Sequence, residues 1–168
     1  MNILQNNPYR LLGVYSNSPT KERLANHNRM KAFLKVGKSV SFPLDVPQYL
    51  SSINRTEASA ADAEAKLTLP KDQILHAQFW FIKTTPLDEV AFNHLFAGEI
   101  DKAEEIWQKR ECLSALQNRI VCALIRNRYD SAIKCAEVLY GNTQYLNQFV
   151  STIIGTGGNF DVSNLTFS

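Results

Sequence analysis

Apolar side chains recur along this chain at intervals of three and four, the spacing of helices that bury one face. Leu87, Val90, Ala91 and Leu95 make one such stripe, and Ala103, Ile106 and Trp107 make the stripe of a partner. The plan then repeats, with Leu113, Leu116, Ile120, Val121 and Leu124 facing Tyr129, Ala132, Ile133, Ala136 and Tyr140. A last stripe, Leu146, Phe149, Val150 and Ile153, closes the end. Nearer the front, Leu24, Met30, Phe33 and Leu34 keep the helical interval only in part. Ile74, Ala77 and Phe81 are expected to form a seam between front and back, with Trp80 covering its flank. The pattern predicts an all-α chain of about nine helices without a sheet.

Caps and breakers set the expected boundaries. Asn7-Pro8 pairs a capping side chain with a proline at the first helical position, and Gly13 can stop that helix after two turns. Ser18-Pro19 starts a second helix that runs to about Lys38, with Gly37 marking its end. Pro43 and Pro47 make Val40 to Pro47 an extended loop. A third helix starts near Thr56 and runs through small residues to Leu67, and Pro70 starts a fourth that reaches Ile82. The repeating region opens after Thr84-Thr85-Pro86.

The turn Ala97-Gly98-Glu99-Ile100-Asp101-Lys102-Ala103 returns as Arg126-Asn127-Arg128-Tyr129-Asp130-Ser131-Ala132, an offset of 29 residues. In both, an alanine after the turn leaves room for a close helix crossing. The pattern resembles the turn and second helix of tetratricopeptide repeats, though shorter than their usual period of about 34. The resemblance implies antiparallel hairpins over residues 83–155 and a groove that binds a protein. Residues 156–168 follow as a flexible tail or a truncated third repeat. Two repeats where arrays usually take at least three imply that the chain is a fragment of a longer protein.

Residues 1–82 resemble a J domain in the order of their parts. Tyr9-Arg10-Leu11-Leu12-Gly13-Val14 stands where that family has its short first helix, followed by the basic helix, the loop, the helix from Thr56, and Leu67-Thr68-Leu69-Pro70. J domains stimulate the seventy-kilodalton heat-shock chaperone through a His-Pro-Asp tripeptide in that loop. Here the loop has Phe42-Pro43-Leu44-Asp45, with a leucine inserted and no histidine, so chaperone stimulation is not expected. Pro43 is expected to stiffen the loop, while Phe42 and Leu44 pin it. Bacterial proteins that join a J-like module to helical repeats are similar.

Composition adds limits rather than a mechanism. The chain is 45% hydrophobic and 20% charged, enough to bury a core. No apolar run is long enough to cross a bilayer, and the first residues lack the pattern of a signal peptide, which makes a cytoplasmic location the expectation. Cys112, Cys122 and Cys135 lack paired spacing and should be small apolar members of helices. His27, His76 and His94 are scattered, so neither a metal nor another cofactor is expected. No catalytic constellation is present in chain order, and the carboxylate pairs Asp88-Glu89 and Glu104-Glu105 fall in charged helical runs, where a solvated face is the expectation.

Charge is uneven although its sum is only +2. Residues 1–55 hold eight lysines and arginines against two acids, whereas both 56–134 and 135–168 come to −2. The basic candidates for a partner are Arg29, Lys31, Lys35 and Lys38 on the second helix. These observations lead to a non-catalytic adaptor that binds a peptide or helix of a protein partner through the repeat groove, away from membranes. The alternatives are a co-chaperone docking through the basic helix and a nucleic-acid binder using the same face. The last is weakened by the lack of interleaved aromatics and by a pI near 8.4.

Overall fold

The computed structural model describes residues 2–155, so the expected tail or truncated repeat at 156–168 lies outside them. The described residues form ten α-helices and one 3₁₀ turn, with no strand among them. In order these are α1 (Asn2–Gln5), α2 (Pro8–Leu11), α3 (Thr20–Lys35), the 3₁₀ turn (Pro43–Asp45), α4 (Glu57–Lys66), α5 (Pro70–Ala77), α6 (Pro86–Phe96), α7 (Ile100–Gln108), α8 (Leu113–Ile125), α9 (Tyr129–Gly141) and α10 (Thr143–Ile154). The all-α class stands. The one helix beyond the nine expected is α1, which has neither a cap nor a long apolar stripe to announce it. Among the described residues no helix is long and apolar enough to cross a membrane.

Several starts follow their capping chemistry. Asn7 Oδ1 accepts from the Tyr9 amide at 3.0 Å, with Pro8 next in line. Thr56 and Ser59 cap α4 reciprocally, each hydroxyl accepting from the other's backbone amide. Thr85 and Asp88 cap α6 reciprocally too, the Asp88 carboxylate accepting from the Thr85 amide and the Thr85 hydroxyl from that of Asp88. Ser18 does not cap α3, because its hydroxyl instead accepts from the Tyr15 amide and Pro19 takes the cap position without a side-chain bond. That helix ends at Lys35, short of Lys38, and Gly37 beyond it has a positive φ of 73°. The loop at Val40 to Pro47 is not extended throughout. Its middle closes into the 3₁₀ turn, and Val46 then takes the left-handed region at φ 47°.

The helix expected to continue to Ile82 stops at Ala77, and the non-helical segment after it lies in the centre of the molecule. Ile74, Ala77 and Phe81 are buried as expected, but Trp80 is buried too, not on a flank, and its indole N–H donates to the Val14 carbonyl. Two asparagines hold this segment by both faces of their amides. Asn118 accepts from the Ile82 amide and donates to its carbonyl, and Asn17 makes the same two bonds with Lys83. Gln117 donates to the carbonyls of Gln78 and Trp80. Backbone that crosses a core must find such partners, since an unmet buried polar group costs about 1–3 kcal/mol. Buried side chains from both sides of residue 82 belong to one hydrophobic cluster.

The hairpins keep the 29-residue interval in detail. Gly98 and Asn127 both have positive φ, at 82° and 59°. The amide of Glu99 donates to the His94 carbonyl at 2.9 Å, and that of Arg128 to the Ala123 carbonyl at 2.8 Å. Ala103 and Ala132 are buried, while Lys102 and Ser131 between the turns and those alanines are exposed. The expected stripes are displaced at three places. Val90, Tyr129 and Ile133 are about half exposed, whereas Asp88, Phe92, Cys135 and Leu139 are buried. Phe92 accounts for the first shift, because its ring meets those of Tyr15, Phe81, Phe96 and Trp107 and turns that face inward.

Candidate functional site

Three places carry the chemistry that the sequence singled out: the basic face of α3, the loop at Phe42 to Asp45, and the α8–α9 hairpin. Only Met30 of α3 is buried, and Arg29, Lys31, Lys35 and Lys38 are all exposed. The helix is tied to α4 where Arg23 meets Glu64 at 3.2 Å, with His27 Nδ1 3.7 Å from the same carboxylate. Leu24 remains half exposed. The Arg29 guanidinium lies 5.6 Å from the Phe33 ring and 5.7 Å from that of Phe42 in the loop.

The loop is built into the front of the core. Phe42 and Leu44 are buried. The Phe42 ring packs on the bare backbone of Gly13, where a Cβ would stand 2.3 Å from Cγ of the ring, and Gly13 also needs its positive φ of 69°. Arg55 lies 4.9 Å over the same ring. That guanidinium reaches both oxygens of Asp45, at 2.6 and 2.9 Å, and donates to the carbonyls of Leu11, Val40 and Arg10. Arg10, itself buried, donates to the carbonyls of Asp45, Ser51 and Gln5. Burial lowers the Arg10 pKa from its ordinary value, against the pull of Asp45. Arg10 and Arg55 thus satisfy a set of buried carbonyls, and the carboxylate of Asp45 is consumed by the ion pair. In the sequence Arg10 is legible only as a charge and a member of the J-like run, and Arg55 only as a charge, because their partners at Asp45 lie 35 and 10 residues away.

The carboxylate pairs of the first hairpin correct the expectation of a solvated face. Asp88 is fully buried, and its oxygens accept from the amides of Thr84 and Thr85 and, at 2.8 Å, from the Trp107 indole. Glu104 is buried under Arg126, the C-cap of α8, at 2.9 Å. Burial raises the Glu104 pKa above its ordinary value, partly offset by Arg126 and Arg128. The same Arg126 reaches Asp101 at 2.5 Å. Glu89 and Glu105 are exposed as expected.

The second hairpin holds an apolar cleft of about 310 Å³ between α8 and α9. Ile120, Leu124, Ala132, Ile133, Ala136 and Tyr140 line it, Gln78 and Phe79 form one wall, and Glu137 is the only charged residue in its lining. Tyr140 reaches Gln117 with its hydroxyl and meets Phe149 of α10 at 5.5 Å between ring centroids. No residue of α10 lines the cleft, although α10 packs on both α8 and α9. Only Asn142 separates α9 from α10, whereas four residues separate α7 from α8. In addition α9 has 13 residues against 9 in α7, so the chain reverses about one turn later, and α10 packs on α5 as well as on the hairpin. Ile133, expected to be buried, is 54% exposed at this cleft.

Burial raises the thiol pKa values of Cys122 and Cys135. Cys112 is half buried at the N-cap of α8. Among the described residues no group of three histidines, cysteines or carboxylates could hold a metal ion. No protein-family model, no curated protein and no solved structure matches the chain.

Proposed function

We propose that the protein is a non-catalytic adaptor and that its α8–α9 cleft holds a helix or peptide of a protein partner. One observation carries this reading: an apolar seam with the half-exposed Ile133 on its rim lies open on a hairpin whose 29-residue counterpart is closed. An apolar cleft open to water gains when a matching surface covers it, by about 25 cal/mol per Å². The tetratricopeptide-like plan, in which stacked hairpins bury faces that none buries alone, accords with the same reading. In it the front is a J-like companion without chaperone stimulation, since the ion pair with Arg55 ties Asp45 into the fold.

The test is affinity capture from the source cell with the full chain and with Ile133→Lys. The side chain is exposed, so the variant should melt within about 0.5 kcal/mol of the parent. A partner retained by the parent and lost by the variant is the expected result. Equal capture of the same proteins by both chains removes the cleft from the account.

A further inference from the structure

The 29-residue interval makes the first hairpin a template for what covers the second. Ile120, Leu124, Ala132, Ile133 and Ala136 of the cleft correspond to Ala91, Leu95, Ala103, Glu104 and Trp107. All five counterparts are buried. The element that closes over Glu104 is a helix, α8, and it brings a cation: Arg126 bridges Glu104 and Asp101. At the open hairpin the counterpart of Asp101 is Asp130, while Glu104 is replaced by the apolar Ile133.

The acids around the cleft then define the complement. Glu137 sits in its lining and Asp130 stands on α9 seven residues earlier, about two turns away, with Ile133 and Ala136 between them. Among the described residues neither carboxylate enters an ion pair. Arg128 and Lys134 are the nearby cations in sequence, and neither belongs to the lining. The segment 156–168 carries Asp161 and no lysine or arginine, so it would bring a negative charge to an acidic rim.

We infer that the occupant of the cleft is an amphipathic helix of a protein partner, with an apolar strip bracketed by two cations about two turns apart. The apolar strip covers Ile120, Leu124 and Ile133, and the cations pair with Asp130 and Glu137. This inference rests on the adaptor reading and adds the chemistry of the partner to it.

The probe is a fluorescein-labelled alanine-based helical peptide with two lysines about two turns apart flanking leucines, beside a twin with glutamines for the lysines. Fluorescence anisotropy on the full chain should show the lysine peptide binding about tenfold or more tightly than its twin, and losing that advantage as salt is raised. Ile133→Lys should weaken both peptides, and Asp130→Asn with Glu137→Gln should weaken only the lysine peptide. Equal affinity of the twins, with Ile133→Lys still weakening both, overturns the cationic partner and leaves the adaptor reading standing. Binding of neither peptide, or indifference to Ile133→Lys, overturns both. Displacement of the lysine peptide by a peptide of residues 156–168 overturns the inference in favour of the chain's own tail. Self-association in sedimentation that Ile133→Lys disperses overturns it in favour of a second copy.

Discussion

The two hairpins share a turn, an interval and a buried alanine, and differ in what lies over them. In α6–α7 the seam is closed, and its polar members are stapled inside: Asp88 to Trp107, Glu104 to Arg126. In α8–α9 the residue 29 positions after Asp88 is Gln117, also fully buried, and it ties the junction segment through its amide nitrogen to Tyr140 of the partner helix through its oxygen. The same backbone plan therefore serves two ends. Where the next helix returns over the hairpin, polar groups are enclosed and paired. Where α9 runs about one turn longer and no residue of α10 reaches the lining, an apolar seam remains.

The largest expected effect of a single substitution belongs to the closed hairpin. Asp88→Ala leaves the Trp107 indole and two threonine amides without their acceptor, and unfolding should show a loss of about 3 kcal/mol or more. A loss below about 1 kcal/mol would mean that the carboxylate is not the staple described. Next in size, Gly98→Ala should lose about 1 kcal/mol. The added Cβ would meet only Gln48 Cγ at 3.6 Å, so the loss comes from the positive φ. Asn127→Gly at the matching turn should change stability by only a few tenths of a kcal/mol, because asparagine already tolerates that region and glycine adopts it freely.

A smaller effect separates the hairpins by pH. The Glu104 carboxyl is raised in the folded state, so between its unfolded and folded values the native chain binds more protons. Stability contributed by its protonated form is present at lower pH and is lost as pH rises through that window. Urea unfolding across the acidic range should show Glu104→Gln with a flatter profile than the parent there. Parallel profiles would remove Glu104 from the titration.

What the sequence disclosed and what it hid differ in range. Asn7-Pro8, Thr56 and Thr85-Pro86 announced helix starts because a cap and its targets lie within three residues of each other. The matched turns announced Ala103 and Ala132 because the interval repeats inside one chain. Asp88 and Glu104 were hidden inside charged runs, since the groups that enclose them, Trp107 and Arg126, come from other helices 19 and 22 residues on. The cleft was hidden for a similar reason. Its opening depends on the length of α9 and the single-residue link to α10, whereas the stripe through Tyr129 and Ile133 looked like any other buried face.

The comparison of closed and open seams is tested most directly by unfolding Ala103→Leu beside Ala132→Leu, with Lys102→Ala and Ser131→Ala as exposed controls. Ala103 is enclosed on every side, so leucine there overpacks the crossing and should lose about 1–3 kcal/mol. Ala132 lines the cleft, where part of the larger side chain can grow into open space, and its loss should be less than half as large. The controls should stay within about 0.5 kcal/mol of the parent. Equal losses at the two alanines would contradict the open seam, and no loss at either would contradict the 29-residue interval itself.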